Sequence, residues 1–243
     1  MTRRRWIATR WDEATAQITG GQAAHLARVL RAQPGMEYDV VAGPHVWHSV
    51  VASVSPEEVR FNLVAMLEAN PALPITLVLS VYKYDRMEWA IEKATELGVS
   101  TIVPILARRT EKHLALGAEK RVERWRRIVQ EAAQQSRRSD VPQILDPVPL
   151  KEFVKHAKTG IRLLLAEQER ITTLHDAVNE SLEACGNECP EIQLAFGPEG
   201  GWTPEEEALW DSNGWRSVSL GPRILRAETA AIAALAITAA MLS

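Results

Sequence analysis

The stretch "ITLVLSVYKYDRMEWAIEKATELGVSTIVPIL", Ile75 to Leu106, decides the fold. It opens on an apolar run, ITLVLSV, of the kind that forms a strand buried on both faces. Met87, Ala90, Ile91, Ala94 and Leu97 then recur at helical spacing, and Gly98 stands where a helix C′ residue belongs. "TIVPIL" is a second strand, in which Pro104 marks an edge or an irregularity. The alternation continues downstream, with a long charged helix over 118–137 and strands at "IRLLLA" and "IQLAF" separated by a helix. "TPEEEALWDSNG" predicts a helix with Thr203 as N-cap, Pro204 at N1 and Glu206 at N3, a capping box. A short strand at "SVSL" and a last helix from Arg226 to Leu242 complete the pattern. Alternating strands and helices predict an α/β fold with a mostly parallel sheet covered on both faces.

Upstream the pattern differs. "EYDVVAGPHVWHSVVASV" holds Val-rich runs broken at Gly43-Pro44, and "EEVRFNLVAML" alternates at Val59, Phe61 and Leu63. These predict a small, mainly antiparallel barrel or sheet. "AAHLARVLR", Ala23 to Arg31, predicts a short helix with Leu26, Val29 and Leu30 inward and Arg28 and Arg31 outward. "EANPALP", Glu68 to Pro74, reads as a linker, so two domains are expected, over 1–70 and 74–243.

Nearly half of the 243 residues are hydrophobic, enough for a sizeable core, and the net charge is only -3. The charge is unevenly placed: residues 108–138 hold ten Lys/Arg against four Asp/Glu, and 167–211 hold one Arg against twelve. The first stretch suits a polyanion; two solvated helix faces are the simpler reading. Cys185 and Cys189, spaced C-x3-C without a second pair, make neither a zinc site nor a disulfide framework. The six histidines are scattered, and no metal is expected. "MTRRRWIATRW" lacks the apolar stretch of a signal peptide, and "AAIAALAITAAML" (Ala230 to Leu242) is too short to span a membrane. A cytoplasmic protein with no membrane partner is expected.

Two Gly-Pro loops carry the chemistry: "FGPEGGW" (Phe196 to Trp202) after one strand and "LGPRILRAETA" (Leu220 to Ala230) after another. In such sheets, ligands bind outside the carboxyl ends of the strands. Glycines there let a ligand approach the backbone, and prolines fix the loop shape. Neither a dinucleotide G-x-G-x-x-G nor a P-loop is present. The residues alone therefore leave two classes open, an enzyme acting on nucleic acid and a non-catalytic RNA-binding protein.

"KATELGV" (Lys93 to Val99), "EAAQQSRRSDVP" (Glu131 to Pro142), "FGPEGGW" and "LGPRILRAETA", in this order and spacing, resemble the ribosomal small-subunit methyltransferase E family. That family belongs to the SPOUT superfamily of knotted RNA methyltransferases, and the likeness runs nearly the whole chain. "HLARVLR" is similar to the start of its PUA-like RNA-binding domain. The resemblance implies a trefoil knot, S-adenosyl-L-methionine as cofactor, a homodimer, and methylation of N3 of a specific uridine in 16S rRNA, free or in the small ribosomal subunit. It places the cofactor against Leu165, Ala166, Phe196, Gly197, Pro198, Glu199, Gly200, Gly201, Leu220, Gly221, Pro222, Ile224 and Leu225. Gln135 and Arg138 match the family's glutamine-rich motif, whereas Ala227 stands where Thr is frequent. Uracil N3–H needs a base or a cation to become a nucleophile. Arg226 is the candidate for stabilising the uracil oxygen, and Glu199 or Glu228 for taking the proton. Arg3, Arg4, Arg5, Arg10, Arg28 and Arg31, with His25 as a surface or RNA-contacting residue, are candidates for binding phosphate from the N-terminal domain. Arg108, Arg109, Arg137 and Arg138 are the candidates further along the chain. A ribose 2′-O-methyltransferase is the alternative within the superfamily.

Overall fold

The computed structural model describes residues 5–69, 71–156, 159–186 and 190–242, so Arg3, Arg4 and Cys189 lie outside the described residues. The chain forms two compact units, Met1–Ala72 with Ala133–Val141, and Leu73–Ala132 with Pro142–Ser243.

The first unit holds β1 (Trp6–Ile7), β2 (Arg10–Trp11), β3 (Thr15–Thr19), α1 (Gly21–Ala24), β4 (Glu37–Ala42), β5 (His45–Val54) and β6 (Glu58–Leu67). The strands form one six-stranded sheet, ordered β1-β4-β5-β6-β3-β2. Only β1 and β4 run parallel. Gly43 (φ 62) and Pro44 make the two-residue turn between β4 and β5. A positive φ followed by the fixed φ of proline is the II′ arrangement whose twist suits a hairpin. Val59 and Phe61 join Trp6, Ile18, Leu26 and Val40 in the core.

The predicted helix over 23–31 needs correction. After α1 the chain winds as a π-helix over His25–Val29, and the Leu30 N–H donates to the His25 carbonyl at 3.1 Å. The wider turn carries the following residues off the helical stripe, so Leu26 is buried while Val29 and Leu30 are 64% and 44% exposed.

The second unit carries β7 (Ile75–Ser80), α2 (Tyr84–Glu96), β8 (Thr101–Leu106), α3 (Lys112–Gln135, whose end enters the first unit), β9 (Gln143–Ile144), β10 (Val148–Pro149) and α4 (Leu150–His156). It continues with β11 (Ile161–Leu165), α5 (Leu174–Cys185), β12 (Ile192–Phe196), α6 (Pro204–Ser212), β13 (Arg216–Val218) and α7 (Ala227–Met241). All seven strands pair in parallel, in the order β10-β8-β7-β12-β11-β13 with β9 beside β8. Alternate strand residues feed two cores. Leu77, Leu79, Leu163, Leu194 and Phe196 pack with α2, α3, α5 and α7; Val78, Val103, Ile105, Leu164 and Ala195 pack with α4 and α6. The sheet is thus covered on both faces, as expected.

Pro104 sits inside β8, opposite Leu79 of β7. The outer neighbour of β8 is split, with β9 beside Thr101 and Ile102 and β10 beside Ile105 and Leu106. The residue without an N–H falls at the gap. Gly98 takes φ 94 after the C-cap Leu97 of α2, and the Thr203–Glu206 capping box is present. Among the described residues no helix is long and apolar enough to cross a membrane.

On the α6 face, Trp210 is fully buried, 5.3 Å from Trp202 and 4.5 Å from Trp215 between ring centroids, both edge-on. Trp210→Ala removes the middle ring of this stack. It is expected to cost roughly 3–5 kcal/mol, read as a lower midpoint in urea unfolding.

Candidate active site

The loops after β11, β12 and β13 meet at the carboxyl end of the parallel sheet, around a cavity of about 400 Å³. Short bonds knit them together. The Ala166 N–H donates to Val218 O at 3.1 Å, the Ser219 N–H to Thr172 O at 2.9 Å, and the Leu174 N–H to Ser219 O at 2.9 Å. In the loop after β11, the Glu169 carboxylate accepts the N–H groups of Arg170, Ile171 and Thr172. The Ile171 and Thr172 amides hold its carboxyl below the usual range.

The loop after β12 is fixed from outside. Arg109 Nη1 donates to the carbonyls of Gly200 (2.6 Å) and Trp202 (2.9 Å), and the Gly201 N–H donates to Pro198 O at 2.8 Å. The Trp202 ring seats against Gly197, where a Cβ would come within 3.2 Å of it. The Glu206 carboxylate accepts the N–H groups of Thr203 (3.0 Å) and Arg108 (2.7 Å), joining the start of α6 to the loop after β8. In the loop after β13, Gly221 takes φ 105, a conformation side chains rarely adopt.

The charged residues lining the cavity are Arg86, Arg109, Arg170, Arg223 and Arg226, with Glu167, Glu199 and Glu207. Arg86 Nη1 bonds Glu199 Oε1 at 2.6 Å, and its Nε lies 3.9 Å from Glu228 Oε1. Glu228 is only 5% exposed, and its Oε2 has no hydrogen-bond partner among the described residues. Burial, then the charges of Glu228 and Glu199, push the Tyr82 phenol far above its ordinary range, so it stays a neutral hydroxyl, and it has no hydrogen-bond partner among the described residues. The arrangement offers backbone and apolar walls to a flat ligand and places two carboxylates and several guanidinium groups around it.

The RNA methyltransferase domain family matches residues 68–239. The chain is 36% identical to the ribosomal RNA small subunit methyltransferase E of Synechocystis sp., over 92% of this chain and 72% of that one. It is 31% identical to the protein of that name from Bacillus subtilis, over 92% and 89%. The chain belongs to the ribosomal RNA small subunit methyltransferase E family. Among solved structures it is similar to the family's Neisseria gonorrhoeae protein bound to S-adenosyl methionine, at TM-score 0.81 and 26% identity over 99% and 98% of the two chains. A Legionella pneumophila protein in complex with the cofactor SAM matches at TM-score 0.84 and 29% identity over 99% and 98%.

Within this methyltransferase fold, the structure gathers most of the residues singled out for the cofactor. Leu165, Ala166, Phe196, Gly197, Pro198, Glu199, Gly200, Gly201, Leu220, Gly221, Ile224 and Leu225 all line the cavity, whereas Pro222 does not. Of the three catalytic candidates, Arg226 and Glu199 line it, and Glu228 is buried without lining it. The cation beside both glutamates is Arg86 rather than Arg226.

The arginines singled out for phosphate divide. Arg10, Arg28, Arg31 and Arg108 are exposed, and His25 is half-buried with its ring 6.0 Å from that of Trp6. Arg138 is buried and bonds Asp140 through two nitrogens. Arg5 donates to Arg137 O at 2.5 Å, and Arg137 pairs with Asp39 at 2.9 Å, so both serve the internal structure of the first unit. Arg109 is committed to the loop after β12.

Arg86 and Tyr82 went unmarked in the sequence because nothing local sets them apart. Arg86 sits in the first turn of an amphipathic helix, where an exposed arginine is unremarkable. The Arg109 clamp leads to a direct expectation: Arg109→Ala speeds hydrogen exchange at the Gly201 and Trp202 amides by tenfold or more, while exchange in β7 and β12 is unchanged. Equal protection in both proteins would show that the loop holds itself.

Proposed function

We propose that the chain transfers a methyl group from S-adenosyl-L-methionine to N3 of a uridine in 16S rRNA of the small ribosomal subunit, in the cytoplasm. One observation carries the reading: the cavity at the carboxyl end of the parallel sheet combines backbone-rich glycine loops with the Arg86–Glu199 pair, and buried Glu228 lies beside Arg86. Its residues fit the cofactor. Leu165, Leu220, Leu225, Ala227 and Ala230 give an apolar bed for a flat base, the loop backbone supplies donors and acceptors at its edge, and the charged rim suits a zwitterionic tail. When bound, the cofactor supplies an electrophilic methyl group on a sulfonium.

The chain's residues prepare the nucleophile. Uracil N3–H is a weak acid and must lose its proton as the new N–C bond forms. Glu199 faces the cavity and takes that proton; Glu228, behind it, holds Arg86 in place. Arg226, at the N-cap of α7 and exposed to the cavity, opposes the charge growing on a uracil oxygen. Positioning of the base against the methyl supplies much of the remaining acceleration.

The path of α7 supports a trefoil knot in this reading. After β13 at the sheet edge, the chain turns back and α7 packs on α2, α5 and β12, beneath inner strands of the sheet. The curled six-stranded sheet of the first unit supports a PUA-like RNA-binding domain over 1–70, next to a methyltransferase domain over 74–243. Exposed Trp89 on α2 and Ile237 on α7, two helices packed together, support a homodimer face. Arg10, Arg28, Arg31 and Arg108 remain as phosphate contacts, an electrostatic term that weakens steeply with salt.

Mass spectrometry of 16S rRNA from cells lacking this chain is expected to show the loss of one N3-methyluridine. An unchanged nucleoside profile would refute the reading, and loss of a ribose methyl would point to the 2′-O alternative. Arg226→Ala is expected to cut kcat by roughly 100-fold, in the range for removing a preorganised charge partner, and to leave cofactor affinity by calorimetry within about twofold.

A further inference from the structure

We infer that two Arg-Ile pairs at the cavity mouth, Arg170–Ile171 and Arg223–Ile224, form the seat for the RNA around the target base: the arginines hold phosphates, and Ile171 fills the place in the stack that the base has left. The inference rests on the methyl-transfer reading above, and adds to it the residues that grip the substrate beside the cavity.

The same two residue types reach one place from two loops. Arg170–Ile171 lies in the loop after β11, and Arg223–Ile224 in the loop after β13. Backbone bonds tie these loops together: the Ser219 N–H donates to Thr172 O, and the Leu174 N–H to Ser219 O, both at 2.9 Å. Each loop is also held from within. The Glu169 carboxylate accepts the amides of Arg170, Ile171 and Thr172 at 2.8, 2.7 and 3.1 Å. The Ser219 hydroxyl accepts the Gly221 N–H at 3.1 Å and donates to the Gly221 carbonyl at 3.3 Å. What this fixed backbone presents to water is apolar. Ile171 is 90% exposed and Ile224 75%, the two most exposed large hydrophobic side chains among the described residues. Arg170 and Arg223 are exposed beside them. Arg170, Arg223 and Ile224 line the cavity, and Ile171, next in the chain to Arg170, is not part of the lining.

Charge and shape together select RNA. Arg86 and Arg109 are bonded to Glu199 and to loop carbonyls, whereas the side chains of Arg170 and Arg223 have no ion-pair or hydrogen-bond partner among the described residues. Glu167 and Glu207 also line the cavity, and neither forms an ion pair with these arginines. Such guanidinium groups take a phosphate at the cost of water and counterions alone. The uridine must leave its stack to enter the cavity, and an apolar side chain beside the entrance fills the space behind it. The apolar surface of a protein partner would match the isoleucines but bury the arginines unpaired. RNA matches both.

The test uses small ribosomal subunits prepared without the modification. Their binding to the protein is read by co-sedimentation across a salt series, and methyl transfer to them from radiolabelled S-adenosylmethionine is read as kcat/KM. Arg170→Gln and Arg223→Gln are each expected to weaken binding and to reduce the slope of log affinity against log salt by about one. Ile171→Ala is expected to lower kcat/KM by about tenfold, with the salt slope unchanged and cofactor affinity by calorimetry within about twofold of wild type. Ile171→Leu restores most of the rate. Ile171 faces water, so its replacement leaves the fold intact. A wild-type rate in Ile171→Ala, or an unchanged salt slope in both arginine variants, overturns the inference. So does a fall in cofactor affinity that matches the loss of rate, which would give the seat to the cofactor. A change of oligomeric state in Ile171→Ala by analytical ultracentrifugation would give it to a second copy of the chain, and overturns the inference too. If the variants lose subunit binding as expected while wild-type protein transfers no methyl group, the functional reading falls and the RNA seat stands; if wild-type protein transfers the methyl group and the variants equal it in both measurements, the reverse holds.

Discussion

Every strand of the seven-stranded sheet runs in the same direction, and that constraint decides where the chemistry can be. A parallel ladder cannot be closed by hairpins, so neighbouring strands are joined by crossovers, and the exits of all strands fall at one edge of the sheet. β11, β12 and β13 thereby deliver three loops to the same place from positions spread over the last third of the chain. The loops need little else to form a cavity, because the Ser219 N–H donates to Thr172 O and Ser219 O accepts the Leu174 N–H across them, and Arg109 holds the middle one. The loops bring charge of their own, Glu199 among it, and two helices add the rest of its cluster: Arg86 from the first turn of α2 and Glu228 from the first turn of α7.

Glu228 is the most expensive member of that group. A buried carboxylate with one oxygen unpartnered among the described residues and a cation at 3.9 Å is poorly compensated. Its place in the first turn of α7 offsets part of the cost, since the helix N-terminus favours negative charge there. A packed apolar residue would be the stabler choice for an Ala-rich helix against the sheet. Retention of the carboxylate makes sense if its charge is used, and the neighbour positioned to use it is Arg86, which in turn orients Glu199 at the cavity wall. Stability and function thus pull in opposite directions at one side chain.

What could be read from the sequence was what is local. The stripe of Met87, Ala90, Ile91 and Ala94 was legible because four residues on one helix face report their own burial. The capping box was legible because Thr203 and Glu206 are three residues apart and complete each other's bonds. Both glycine loops were legible because a turn leaves its mark in adjacent residues. Val29 and Leu30 misled for the same reason: a regular helix puts them inside, and no nearby residue announces the wider π turn that puts them out. Arg86 and Glu199 are separated by 113 positions, so neither carries a sign of the other. The basic run ending at Arg138 shows the limit of composition. Arg108 and Arg138 are the same residue type in one charge-rich stretch, yet one is exposed and the other buried against Asp140.

The division of those arginines bears on how such a protein holds RNA. An arginine locked by a carboxylate or a carbonyl gives up those bonds before it can take a phosphate, so its net contribution to binding is small. Arg5, Arg109, Arg137 and Arg138 are of this kind, and each is bonded within its own unit. Exposed cations such as Arg10, Arg28, Arg31 and Arg108 lose only water and counterions. Arg31 adds a further point, because it takes φ 51, a left-handed conformation that costs a non-glycine residue about 1–3 kcal/mol. Beside it, Val29 and Leu30 face solvent after the π turn. Strain, exposed apolar surface and two exposed arginines coincide in one short segment of the first unit. Each is unfavourable in the chain by itself, and an RNA chain laid over them would cover the apolar surface and neutralise the charge together.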